Sequence, residues 1–315
     1  MKMWPPVLSL LSSSSSKIQL ASAWIVGTAV QNNDKAQVAI LKYQPLAPLL
    51  SLLESSDMDV RSKAMYALSG LLKHNPEAVV QFQDMDGWNK LKLALLDPNI
   101  ILRRKTVFLI NSLLFQDPAG QQESSSDETS PAASASVPPP NSTATAVAPA
   151  PQSSSPLTAA PLERGPETLL SGVEHPDVAK ALISSELLKI ILISLLPSST
   201  DGGNGVESIR EKGLMLNYGP DGDQEPRRDL DYSEKAARCL LTFTEKLNPS
   251  TTLVDEETLR LLNLFAEQLR SEPIEEVEDR EGTRSTRATE LSIEQESLDN
   301  LERKLREIKV TGDRL

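Results

Sequence analysis

Catalysis would require a nucleophile, a general base or a metal-ligand set, and few residues could supply one. The chain has two histidines, His74 and His175, and one cysteine, Cys239. Both histidines stand just ahead of a proline, Pro76 or Pro176, at homologous positions where the pattern predicts a turn. One cysteine and two histidines do not make up the usual tetrahedral zinc set. Gly202, Gly203 and Gly205 form GGNG, but no strand-like run precedes them and no Gly-Lys-Ser/Thr follows, so a phosphate loop is not expected. The carboxylates gather in the C-terminal tail, where solvation accounts for them. No catalytic, cofactor-binding or metal-binding residue is expected, and the chain is not expected to be an enzyme.

What remains is recognition chemistry. Two related stretches carry side chains that a helical core would not use: Arg61, Tyr66, Ser69 and Lys73 in the first, and Arg103, Arg104, Phe108, Asn111 and Phe115 in the second. Arginine and aromatic residues dominate the energetics of protein interfaces. Arg61, Tyr66, Arg103, Arg104, Phe108 and Asn111 are therefore the expected partner-binding residues. Trp24 and Trp88 align with apolar positions and are expected in the core.

These residues sit in a repeat. Arg61, Lys63, Tyr66, Leu68, Leu71, Leu72 and Asn75 recur as Arg103, Lys105, Phe108, Ile110, Leu113, Leu114 and Asp117, each 42 positions on. A period in the low forties with helical patterning marks an armadillo or HEAT array, whose units cannot bury their apolar faces alone. Within a unit, Ala64, Leu68, Leu71 and Leu72 fall on one face of a helix over 62–73. Asn75-Pro76 ends that helix, because a residue before proline resists the α conformation. A short helix follows over 77–82, Gly87 breaks it, and a third helix over 88–96 leads to the turn Asp97-Pro98-Asn99. Three helices per unit predict an all-α, armadillo-like right-handed superhelix.

The composition divides the chain further. Residues 1–17 read as a disordered lead and 18–118 as repeats. Residues 119–172 are rich in Ser, Ala and Pro and bury too little apolar surface to offset chain entropy, which predicts a disordered insertion. The pattern resumes over 173–270, where His175 to Leu196 matches Asn75 to Leu96 at an offset of 100, so the third unit holds 58 extra residues. An irregular loop is expected over 198–229, and a terminal cap helix over 256–270. The tail, 271–315, is acidic, with a helix over 292–309 that has no clear place in the array.

The formal net charge of −12 makes the chain a poor ligand for nucleic acid or an anionic membrane. A single cysteine rules out an intrachain disulfide and suits a reducing compartment. No apolar run approaches the roughly 20 residues of a membrane span. Pro5 and Pro6 interrupt the only stretch that could imitate a secretion signal. A cytoplasmic monomer is expected.

Three segments together, WIVGTAVQNNDKAQ from Trp24, VRSKAMYALSGLLKHN from Val60 and GWNKLKLALLDPNIILRRKTVFLINSLL from Gly87, resemble the armadillo-type nucleotide exchange factors of the seventy-kilodalton heat-shock chaperones. This is the Fes/HspBP family, and the fungal cytosolic branch is the most similar. The resemblance implies an array that clasps one lobe of the chaperone's ATPase domain, disfavours the closed nucleotide cleft and so releases ADP and then client, without a cofactor. Members of that family open with a helical segment and a client-mimicking module. This chain has MKMWPPVLSLLSSSSSK there, which reads as a truncated N-terminus that leaves the apolar side around Leu20 to Ala29 uncovered. The competing expectation is a generic armadillo adaptor holding a partner on its concave face. Such an adaptor would repeat a groove asparagine in every unit, whereas Asn111 is matched by Ser69 and Gly27.

Overall fold

The 42-residue period recurs in three dimensions, down to single hydrogen bonds. The computed structural model describes residues 3–116, 173–196, 226–247, 253–271 and 286–308, which are helical apart from turns, caps and one isolated bridge residue. The first full unit comprises α2 (Ser16–Val30), α3 (Asp34–Leu41) and α4 (Leu46–Leu52). The second comprises α5 (Met58–Leu72), α6 (Pro76–Asp84) and α7 (Gly87–Leu95). The third comprises α8 (Ile100–Gln116), α9 (Val178–Ser184) and α10 (Leu187–Leu195). The expected insertion over 119–172 lies outside the described residues. α9 nevertheless packs on α8, and α10 on α7, so the unit is complete on either side of it. After a short turn at Pro226–Arg228 come α11 (Leu230–Lys246) and α12 (Glu256–Arg270), then α13 (Arg287–Glu290) and α14 (Gln295–Glu307). Residues 198–225 of the expected irregular loop are likewise outside the described residues.

The long helices α2, α5, α8 and α11 stack side by side as a ladder, and the short helices pack behind it. The inward positions read from the pattern, Ala64, Leu68, Leu71 and Leu72 on α5, are fully buried, and so are their equivalents 42 positions on, Thr106, Ile110, Leu113 and Leu114 on α8. So are Met65, Ala67, Val107 and Leu109, because α5 and α8 are each sandwiched between neighbours. Trp88 is buried as expected and meets Phe82 edge-on, with ring centroids 5.3 Å apart. Gly87 makes this possible, since a Cβ there would lie 2.4 Å from the Phe82 ring.

The turns repeat as strictly as the core. Asp57, Asn99 and Asp229 cap α5, α8 and α11, accepting from Val60 N–H at 3.3 Å, Leu102 N–H at 3.1 Å and Tyr232 N–H at 2.7 Å. Asn33 and Asn75 cap α3 and α6 in the same way, preceded by left-handed Asn32 (φ 52°) and His74 (φ 55°). Gln44, Asp86 and Glu186 are left-handed at the step into the third helix of each unit. α9 starts two residues later than the offset of 100 predicts. His175 cannot replace Asn75 as a cap, and Asp177 accepts from Lys180 N–H at 2.8 Å instead.

Two ends of the chain differ from expectation. Within the supposed disordered lead, Trp4–Leu10 forms α1, which packs on α2 and buries Leu8 and Leu11. It is the repeat equivalent of α4: Pro6, Leu8, Ser9, Leu10 and Leu11 stand 42 positions before Pro48, Leu50, Ser51, Leu52 and Leu53. α2 keeps an exposed apolar edge, with Ile18 and Ile25 42% and 50% exposed. At the other end α14 is docked on α11 and α12 and buries Leu298, Leu301 and Leu305.

Candidate partner-binding groove

The outward face of the ladder is built on close helix contact. α2 and α5 approach through Gly27 and Gly70, where a Cβ on Gly70 would meet the Gly27 carbonyl oxygen at 3.2 Å. The Tyr66 ring lies over Gly27, whose missing Cβ would fall 2.5 Å from the ring. Its hydroxyl donates to Gln31 Oε1 at 2.5 Å. The Tyr66 ring is thus fixed at both ends by α2.

One residue per helix repeats this placement. Trp24, Tyr66 and Phe108 occupy the same ladder position 42 residues apart. Lysines lie between them: Lys63 Nζ is 4.3 Å from the Trp24 ring centroid and 5.9 Å from that of Tyr66, and Lys73 Nζ is 4.3 Å from that of Phe108. Lys246 reaches Phe115 at 6.0 Å. Cations over ring faces are favourable by about 0.5–2 kcal/mol each, so the lysines hold the rings in place without covering them completely. Phe108 is 47% and Phe115 62% exposed.

Between α5 and α8 these side chains border a groove of about 610 Å³, lined by Tyr66, Lys73, Lys105, Phe108, Asn111 and Phe115 among others. Burial lowers the Lys73 ammonium below the usual lysine range. Lys105 is lowered by burial and by repulsion from Lys63, with Asp59 opposing. The groove is therefore both apolar and positively charged, on a chain whose net charge is −12.

Of the six partner-binding residues expected from sequence, Tyr66, Phe108 and Asn111 line this groove together. The other three serve the fold. Arg61 donates to the Ser55 carbonyl at 2.8 Å and pairs with Asp97 at 2.8 Å. Arg103, 2% exposed, donates through Nε to the carbonyl of Asp97. Ser55 and Asp97 are repeat equivalents, and so are their counterparts elsewhere: Gln19 donates to the Ser13 carbonyl at 2.8 Å and the Ser233 hydroxyl to that of Arg227 at 2.9 Å. This position braces the turn entering each ladder helix, which explains why an arginine recurs there. Arg104 donates to Asp229, the cap of α11, and pairs with Asp231 at 3.3 Å.

Trp24 is a second correction: it is 53% exposed rather than buried. Its alignment with Tyr66 and Phe108 was the available signal, since three aromatics at one offset mark a surface column as readily as a core. Lys63 and Lys105, also a repeat pair, were missed as members of the face. Among the chemical candidates, His74 is a turn residue whose N–H donates to Gln116 Oε1 at 2.5 Å, and the His175 Nδ1 lies 2.9 Å from the Pro176 carbonyl oxygen. Cys239 is fully buried, which pushes its thiol well above the usual range. Among the described residues no cluster could hold a metal ion, and no helix is long and apolar enough to cross a membrane.

Residues 4–136 match the SIL1/FES1/HPBP1 C-terminal domain. The Hsp70 nucleotide exchange factor FES1 of Mycosarcoma maydis is 47% identical over 308 residues, which is 97% of this chain and 73% of that protein. The Hsp70 nucleotide exchange factor FES1 of Cryptococcus neoformans var. neoformans serotype D (strain B-3501A) is 39% identical over 127 residues, covering 37% of this chain and 34% of that one. A designed armadillo repeat protein superposes with a TM-score of 0.50 at 11% identity, over 96% of this chain and 81% of its own, a likeness of fold alone.

Proposed function

Since this chain belongs to the SIL1/FES1/HPBP1 family, we propose that it is a nucleotide exchange factor for a seventy-kilodalton heat-shock chaperone. In this reading the groove face of α2, α5 and α8 grips the chaperone's ATPase domain. The observation that carries it is the 47% identity sustained over 97% of the chain with a protein of that name.

The physical requirement is differential binding. A ligand with equal affinity for the open and closed nucleotide cleft shifts nothing, and driving the cleft from mostly closed to mostly open takes about 5.5 kcal/mol of preference. Aromatic anchors at an interface contribute about 2 kcal/mol or more each. Two or three of Trp24, Tyr66, Phe108 and Phe115, engaged fully only when the lobe has swung open, would supply a preference of that size. This chain forms and breaks no covalent bond in the process and uses no cofactor. The chain acts as a monomer in the cytoplasm, a setting that a lone buried thiol and the absence of any possible intrachain disulfide support.

The test is stopped-flow release of a fluorescent ADP analogue from a cytosolic seventy-kilodalton heat-shock chaperone, with and without this chain. The expected result is release accelerated in proportion to added chain until the chaperone is saturated. Unchanged release, with the chain folded by circular dichroism, would contradict the reading and favour a binding-only adaptor.

A further inference from the structure

Two lysines that line the groove, Lys73 and Lys105, and Lys63 beside it over the Trp24 ring, stand apart from other partly buried cations of the chain. Arg61 pairs with Asp97 at 2.8 Å, Lys189 with Asp255 at 3.1 Å and Glu257 at 2.9 Å, and Arg287 with Glu290 at 2.5 Å; Arg104 pairs with Asp229 and Asp231. Lys63, Lys73 and Lys105 have no carboxylate partner among the described residues. Asp59 acts on Lys105 only from a distance. Half-burying an unpaired ammonium is unfavourable, and on so acidic a chain a carboxylate could readily have stood nearby. Lys63 and Lys73 lean instead on the aromatic rings, and Lys105 donates to the Ser62 hydroxyl.

A second, independent feature sits in the same groove. Asn111 borders it, and its Oδ1 is buried with no hydrogen-bond partner. An unpartnered buried carbonyl oxygen is unfavourable, and a donor arriving with a ligand would recover that loss.

We infer that the partner surface seated in this groove is an acidic protein segment, with carboxylates that pair with Lys73 and Lys105 and an N–H donor that reaches Asn111 Oδ1. The inference rests on the groove being the chaperone-gripping face and names the chemistry of what it grips. Isolated carboxylates suit two separate groove lysines. A polyanion such as nucleic acid would be repelled by the remainder of a chain of net charge −12. As a carboxylate pairs with Lys73, its ammonium group draws away from the Phe108 ring and frees that face for apolar contact. Charge recognition and aromatic anchoring are therefore coupled.

The test is isothermal titration of the full chain against the ATPase domain of the chaperone at about 50 and about 500 mM NaCl, bracketing the range over which exposed charges are screened. The variants are Lys73→Met with Lys105→Met, which keep the apolar stems, Lys73→Arg with Lys105→Arg, which keep the charge, Asn111→Leu, and Phe108→Ala. The Met pair is expected to weaken binding at least tenfold at low salt and to flatten its salt dependence, and the Arg pair to keep both near wild type. Asn111→Leu is expected to weaken binding several-fold at both salt concentrations. If the Met pair binds like wild type with the same salt dependence while Phe108→Ala binds weakly, the groove stands and the acidic partner is overturned. If the folded wild type does not bind the ATPase domain, the functional reading fails and takes this inference with it.

Discussion

The first three helices of the ladder and the fourth share a backbone and carry different surfaces. On α2, α5 and α8 the outward column is Trp24, Tyr66 and Phe108, interleaved with lysines. On α11, at the offset of 172 that aligns Lys235 with Lys63, the place of Tyr66 is taken by Arg238 and that of Lys73 by Glu245. Arg238 pairs along its own helix with Glu234 at 2.9 Å. Glu245 borders a shallow pocket of about 420 Å³ with Glu296, Asp299 and Arg303 of the docked α14. The inward positions hardly change, since Ala236 and Leu240 are as buried as Ala64 and Leu68. Core residues therefore set the array, and outward residues decide independently which stretch of it is sticky. A terminal helix whose outward face is charged, such as α14, closes a solenoid in the way its solubility requires.

The largest expected effect separates the two regions directly. Tyr66→Ala with Phe108→Ala should lower the acceleration of ADP release by about 30-fold or more, as loss of two anchors implies. Arg238→Ala with Glu245→Ala should change it less than about twofold, because both groups are solvated and Arg238 is paired along its own helix. Equal losses from the two pairs would erase the distinction. Next in size is Arg103→Glu. It buries an unpaired charge and removes a turn brace, so urea unfolding should report about 3–5 kcal/mol lost. A variant of wild-type stability that fails in exchange would instead restore Arg103 to the partner face. The smallest effect is that of Gly27→Ala, which pushes the Tyr66 ring off its seat at a cost of about 1–3 kcal/mol in stability. The cost should shrink in a Tyr66→Ala background, and strict additivity of the two changes would mean that the ring is not seated there.

The sequence pattern made the array legible because inward Leu, Ile, Ala and Val recur with the chain's own period, and burial follows that recurrence residue by residue. The same recurrence misled at Arg61 and Arg103. A polar residue repeated at one offset marks either a face or a joint, and only the fold brings the Ser55 and Asp97 carbonyls to those guanidinium groups. It misled at Trp24 as well, since an aromatic repeated at one offset fits a buried seam or an exposed column equally well. α1 was legible in principle from the match of PPVLSLL to APLLSLL at 42 residues, but its proline pair and the serines that follow resemble an unstructured lead. Lys63, Lys73 and Lys105 gave no sign of being unpaired, because ion pairing with distant residues such as Asp97, Asp229 and Asp255 is settled only by the tertiary structure.

Amide hydrogen exchange on this chain, alone and saturated with the ATPase domain of a seventy-kilodalton heat-shock chaperone, tests the central claim most directly. New protection is expected in Met58–Leu72 and Ile100–Gln116, the walls of the groove, with Leu230–Lys246 little changed. Protection centred on Leu230–Lys246 and Gln295–Glu307, with the groove helices unchanged, would contradict it.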